Sequence, residues 1–136
     1  VLDPRIKDLR IMIDCANGAA WPAAGVAFQR AGITADYVGT AADGTNINRE
    51  VGALHPDHAR AEVVRRGAQI GIALDGDADR VIVIDEKGQV VDGDAVMAMC
   101  ATRMKRDGEL RRDTVVATVI SFGLSRDTDP STTASM

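Results

Sequence analysis

Apolar residues fall along this chain in short runs separated by polar, glycine-rich turns, and the runs alternate between two periods. Leu9 to Asp14, Ile33 to Val38, Ile70 to Leu74 and Val81 to Ile84 have the length and β-branched content of strands. Between them the spacing becomes helical. Pro22 suits a first helical turn, Val26 and Phe28 with neighbouring alanines supply an inner face, and Gly32 stands where that helix ends. Gly39 to Gly52 reads as loop. Pro56 opens a second helix, with Ala59, Val63 and the stem of Arg66 along one side and Gly67 as its stop. After Val81 to Ile84 the chain runs through the turn Asp85-Glu86-Lys87-Gly88 into Gln89-Val90-Val91. Asp92-Gly93-Asp94 then caps a third helix to about Met104, closed by Asp107-Gly108.

This order is βαβαββα. Two crossovers imply three parallel strands, and the short connection after Leu74 forces the fourth strand to lie antiparallel beside the third. The expected fold is α/β, a three-layer α/β/α sandwich with a mixed four-stranded sheet. Loops that follow C-terminal strand ends share one rim, so Asn17-Gly18, Asp43 to Gly52 and Asp75 to Arg80 line a common crevice. Residues 1–112 make up this domain. Residues 113–136 read as the opening of a further domain: Thr114 to Ile120 has strand character with nothing after it to cover it, and Ser121 to Met136 is a loose polar tail.

The 136 residues suffice for one core, and 46% hydrophobic with 26% charged residues is an ordinary globular balance. A net charge of −4 with 3% aromatics excludes the basic footprint and stacking platform of a nucleic-acid binder. No apolar stretch approaches the ~20 residues of a membrane span. Val1-Leu2-Asp3-Pro4-Arg5 has no signal-peptide pattern, so the expected compartment is the cytoplasm. Cys15 and Cys100, without C-x-x-C spacing, read as reduced core thiols.

The chemistry concentrates in Asp75-Gly76-Asp77-Ala78-Asp79-Arg80. Three carboxylates at every second position, crowded between two strands, require a cation. Small residues at Gly76 and Ala78 let the acids converge, and an all-oxygen donor set suits Mg2+ better than zinc. Arg80 adds a forked, permanently charged donor, so the loop has the means to neutralise a phosphoryl group from two sides.

With these residues in view, the chain resembles the second, metal-binding domain of the α-D-phosphohexomutases. The resemblance rests on Gly71 to Val81, on Gly88-x-x-Val91-Asp92-Gly93-Asp94, and on Ile13-Asp14-Cys15-Ala16-Asn17-Gly18-Ala19. Within the family, Gly44-Thr45-Asn46-Ile47-Asn48 followed by Gly52 and His55-Pro56 is similar to the phosphoglucosamine mutase subfamily. The resemblance covers about residues 8 to 124, with Val115 to Ser121 looking like the first strand of the family's third domain.

It implies an intramolecular isomerase that interconverts glucosamine 6-phosphate and glucosamine 1-phosphate through a phosphoserine, on the route to cell-wall precursors. Asp75, Asp77 and Asp79 would be the protein ligands of an essential Mg2+, and Arg80 would hold the serine phosphate. The family's serine, sugar-specificity loop and distal phosphate loop lie in its first, third and fourth domains, and none is present in this stretch. The missing domains of the same enzyme are thus its implied partners, a hexosamine phosphate its implied substrate, and this stretch alone is expected to be inactive. Thr133-Ala134-Ser135 is superficially similar to the serine loop but follows the metal loop instead of preceding it.

Asn46, Asn48 and His55, with Arg80, are assigned to phosphate or substrate contact, although asparagines in a glycine-rich loop also cap their own turns. His58 is expected to face solvent, Arg103 to Arg112 to be a solvated helix end, and Met97, Met99 and Met104 to fill core. An exposed strand over 114–120 would pair with a second copy, giving a homodimer.

Two other classes compete. Asp75, Asp77, Asp79 and Glu86 match an EF-hand's acid count, but Arg80 stands where that loop needs glycine and Val81 to Ile84 is strand, which disfavours a non-catalytic calcium or other divalent-cation module. An aspartate-nucleophile phosphatase would use Asp75 as nucleophile and Asp77 as acid, but needs that loop after the first strand of a longer parallel sheet.

Overall fold

The computed structural model describes residues 4–117. The chain divides after Val91 into two compact units. The first opens with a 3-10 turn, Pro4–Asp8, and then alternates β1 (Ile11–Asp14), α1 (Ala20–Arg30), β2 (Ala35–Val38), α2 (Pro56–Arg66), β3 (Ile70–Leu74), β4 (Val81–Asp85) and β5 (Val90–Val91). The sheet order is β2-β1-β3-β4-β5. β1 lies parallel to both β2 and β3, and β4 is antiparallel to β3 with Leu74 opposite Val81. The sheet has five strands, one more than expected: Val90 and Val91 pair antiparallel with Ile84 and Val83. Two residues are too few to show a period, and only the Asp85–Gly88 turn folding back on β4 makes them a strand.

Alternation along β1 divides the core. Ile11 and Ile13 meet Cys15, Ile33 and the α1 residues Trp21, Ala24 and Phe28 on one face. Met12 meets Ala59 and Val63 of α2 and Ile84 of β4 on the other. The three-layer arrangement therefore exists within this unit alone. Each fully buried aliphatic or methionine side chain contributes roughly 1.5–3 kcal/mol. Val26, expected on the inner face of α1, is 48% exposed. Two residues before Phe28 it points about 200° away, so the two cannot share a face. α2 begins at Pro56 and ends where Gly67 turns left-handed at φ 63°, as its sequence predicts.

The second unit contains α3 (Gly93–Arg106) and a 3-10 turn, Arg111–Asp113. The Asp92 carboxylate caps α3 by accepting the Asp94 N–H at 2.8 Å. α3 buries none of its residues, so Met99, Met104 and Cys100 are exposed instead of filling a core, and only Cys15 is a buried thiol. Arg103 pairs with Asp107 one turn on, in keeping with a solvated helix end. Among the described residues no strand forms across 114–117, which are exposed. The rest of the strand expected over 114–120, and the tail with Thr133-Ala134-Ser135, lie outside the described residues.

Candidate metal centre

The acidic loop is the connection of the β3–β4 hairpin. Asp75 follows directly on β3, its carbonyl accepts the Ala78 N–H at 3.0 Å, and Ala78 turns left-handed at φ 59° to reverse the chain. The turn brings one carboxylate oxygen each from Asp75, Asp77 and Asp79 within 4.8 Å of one another. Asp75 is buried and the other two are exposed, an inner anchor with two outer arms.

Arg80 closes the loop on the same charges. Its backbone N–H donates to Asp75 Oδ1 at 3.1 Å, and its Nε lies 3.4 Å from Asp75 Oδ2 and 3.6 Å from Asp79 Oδ1. Burial works to raise the Asp75 carboxyl, but the Arg80 N–H and a hydrogen bond shared with Asp79 outweigh it and hold Asp75 below the usual carboxylate range. Asp79 is pushed the other way by that same hydrogen bond and by the charges of Asp75 and Asp77. The opposite shifts are the behaviour of like charges held too close to ionise independently.

Three hard oxygen donors on one tight turn fit a small divalent cation such as Mg2+, whose octahedral sphere takes few protein carboxylates and completes itself with other oxygens. No nitrogen or sulfur donor belongs to the cluster, which disfavours zinc. Because β4 follows at once, the loop is not the entry to a helix that an EF-hand requires. Nor does it follow the first strand of a parallel sheet, as the phosphatase reading needs.

The expected common rim is present. Ala19 donates its N–H to the Gly76 carbonyl at 2.9 Å, joining the turn after β1 to the acidic loop. From the other side Asn48 lies against Gly76, where an added β-carbon would come within 3.0 Å of Asn48 Nδ2. Asn48 also donates its backbone N–H to the Ala16 carbonyl at 2.9 Å, while its side-chain Oδ1 is buried without a partner. Ala53 donates to the carbonyl of Leu74, the residue before Asp75, at 2.8 Å.

The other residues singled out in the sequence sit differently. Asn46 spends both ends of its amide inside its own loop, accepting from the Asp43 N–H at 3.1 Å and donating to the Ala41 carbonyl at 2.8 Å. Asp43 returns the bond by accepting from Thr45 and Asn46, and the Thr45 N–H holds its carboxyl below the usual range. His55 is exposed at the start of α2 and donates its backbone N–H to the Gly52 carbonyl at 3.0 Å. His58 does not simply face solvent. Its Nδ1 lies 2.9 Å from Oδ2 of Asp14, a carboxylate with no exposed surface at the end of β1. In the sequence Asp14 stands only as the last residue of a strand and part of the turn motif that follows. The available signal was a carboxylate closing an otherwise apolar run, a position that needs internal partners.

Similarity to known proteins agrees with this geometry. The family described as phosphoglucomutase/phosphomannomutase, alpha/beta/alpha domain II, matches residues 3–88. Phosphoglucosamine mutase of Sorangium cellulosum is 57% identical over 122 residues, covering 89% of this chain and 25% of that protein. The phosphoglucosamine mutase of Azorhizobium caulinodans is 51% identical over 125 residues, or 91% of this chain and 28% of its own length. A crystal structure of a phosphoglucomutase/phosphomannomutase family protein from Burkholderia thailandensis superposes with a TM-score of 0.62 at 30% identity, over 73% of this chain and 22% of that one. The chain thus spans about a quarter of the length of the curated relatives it matches. With its hairpin of acids, its mixed sheet and these matches, the chain belongs to the phosphoglucomutase/phosphomannomutase family and carries that family's α/β/α domain II.

Proposed function

We propose that this chain is the Mg2+-binding portion of a phosphoglucosamine mutase that interconverts glucosamine 6-phosphate and glucosamine 1-phosphate. The observation that carries the reading is the convergence of Asp75, Asp77 and Asp79 within 4.8 Å on a hairpin that Arg80 closes, in a chain half or more identical to proteins of that name. Asp75, Asp77 and Asp79 hold the ion, which supplies positive charge to a phosphoryl group in transfer. Arg80 presents a second cationic donor to the same phosphate. Asn48 packs against the metal loop at the rim, Asn46 shapes the loop that carries Asn48, and His55 faces outward toward substrate. The phosphoserine and the remaining sugar contacts come from other domains of the same enzyme, with residues 113–136 leading into the next of them. By itself the 136-residue chain binds the ion weakly and turns over no substrate.

The test is a chimera in which this chain replaces the matching 122 residues of the Sorangium cellulosum enzyme. Retained interconversion of the two glucosamine phosphates, abolished by Asp77→Ala, is the expected result. A folded chimera that is inactive, or one indifferent to Asp77→Ala, rejects the reading.

A further inference from the structure

We propose that Asp14 and His58 form a positioning pair that sets the shape of the metal loop without touching metal or substrate; the inference rests on the metal-centre reading above. Asp14 accepts three hydrogen bonds from three parts of the chain: the Ala16 N–H at 2.9 Å, the Gly52 N–H at 3.0 Å, and His58 Nδ1 at 2.9 Å. Its carboxylate is fully buried, so these donors stand in for water and losing one leaves a charged acceptor short.

What Asp14 holds is strained backbone. Ala16, Asn17 and Asn48 lie in the left-handed region at φ 56°, 51° and 58°, none of them glycine, and Gly52 joins them at φ 76°. Asparagine enters this region more readily than other residues, but alanine keeps such an angle only where surrounding bonds over-determine it. Ala16 and Gly52, which donate to Asp14, are also the residues that meet the metal loop's supports. The Ala16 carbonyl accepts Asn48, which packs on Gly76. Gly52 precedes Ala53, which donates to Leu74 beside Asp75, and a β-carbon on Gly52 would come within 2.5 Å of the Leu74 carbonyl oxygen. The carboxylate therefore reaches the loop through two short backbone routes, one to each neighbour of Asp75. His58 anchors the assembly to α2, and its side chain is 37% exposed, so it can be replaced without opening the core.

The test compares 1H–15N spectra of the full 136-residue chain, without metal, for wild type, His58→Ala, His58→Asn and Asp14→Asn. Asparagine at 58 places an N–H at the same number of bonds as Nδ1. The expected result is displaced amide resonances at Gly76 to Asp79 in His58→Ala, largely restored in His58→Asn, with Mn2+ affinity about tenfold weaker in His58→Ala, the usual scale for groups supporting a metal ligand. If Asp14→Asn does not fold, the two His58 variants decide. Folded His58→Ala with loop resonances and Mn2+ affinity unchanged overturns the proposal. Displaced loop resonances in a chain whose wild type takes up no Mn2+ uphold the positioning pair and reject the metal centre instead.

Discussion

Gly18 and Gly76 approach so closely that a β-carbon on Gly18 would lie 2.7 Å from the Gly76 Cα, with the Gly76 carbonyl oxygen closer still. No side chain rotates out of this conflict, because both partners are backbone. Gly18→Ala must push the turn after β1 away from the metal loop and stretch the bond from the Ala19 N–H to the Gly76 carbonyl. The expected cost is ~1–3 kcal/mol, the range for overpacking a tight contact. Urea denaturation measures it, and a stability unchanged from wild type would show that the two turns are not in contact in solution.

The two cysteines should differ sharply in reactivity. Burial, then the neighbouring Asp14 charge, pushes the Cys15 thiol up to about 11, whereas Cys100 is exposed on α3. The thiolate is the reacting species, so iodoacetamide near pH 8 should label Cys100 and modify Cys15 on the order of 100-fold more slowly. Mass spectrometry of the labelled chain, native and in denaturant, checks both halves: one adduct when folded, two when unfolded.

Glu62, on α2, provides a pH handle outside the acidic loop. Its carboxylate accepts Arg65 Nε and Nη2 at 2.9 and 2.6 Å and Arg66 Nε at 2.8 Å, and those bonds, Arg65 first, lower it to about 2. A folded-state value below the unfolded one means stability that is present above about pH 4.5 and drains away as pH falls toward 2. Arg65 is largely exposed, so the contribution stays in the range for surface pairs, ~0.5–1 kcal/mol. Glu62→Gln should be less stable by that amount at pH 7, and the gap should narrow as denaturation is repeated from about pH 5 down to pH 3.

The elements that could be read from sequence are those whose signal is local. Ile70 to Leu74 and Val81 to Ile84 announce strands by composition alone, and three acids on alternate residues between them announce a cluster of carboxylates with no tertiary information. Gly67 and the cap at Asp92 follow from backbone chemistry at a single position. Asp14 with His58 could not be read, because the partners stand 44 residues apart and meet only once α2 lies on the sheet. Val90-Val91 becomes a strand only through its pairing with β4, and the face of α1 is set by Trp21, Ala24 and Phe28, in which Val26 has no place. The exposure of Met99 and Met104 was hidden for a related reason: apolar spacing shows which residues of α3 share a side, not whether anything covers them.

Arg80 should compete with a divalent ion for the acids it stands beside. Its Nε lies 3.4 Å from Asp75 and 3.6 Å from Asp79, and it balances part of the charge that a divalent ion would neutralise. Removing it leaves the acids more strongly coupled to any cation that enters. Arg80→Gln in this chain should therefore bind Mg2+ more tightly, by a factor of about 3–10 at low salt, consistent with the modest strength of a solvent-exposed ion pair. The same substitution should weaken retention of inorganic phosphate by the metal-loaded chain, because the second cationic donor is gone. Calorimetric titration with Mg2+, and then with phosphate at saturating Mg2+, separates the two effects. Screening supplies the control: raising the salt to about 0.5 M shortens the range of these charges to a few ångströms and should shrink the difference in Mg2+ affinity between wild type and variant. Weaker Mg2+ binding in Arg80→Gln would instead mean that the guanidinium orients the carboxylates, and that its contacts to Asp75 and Asp79 build the site instead of competing for it.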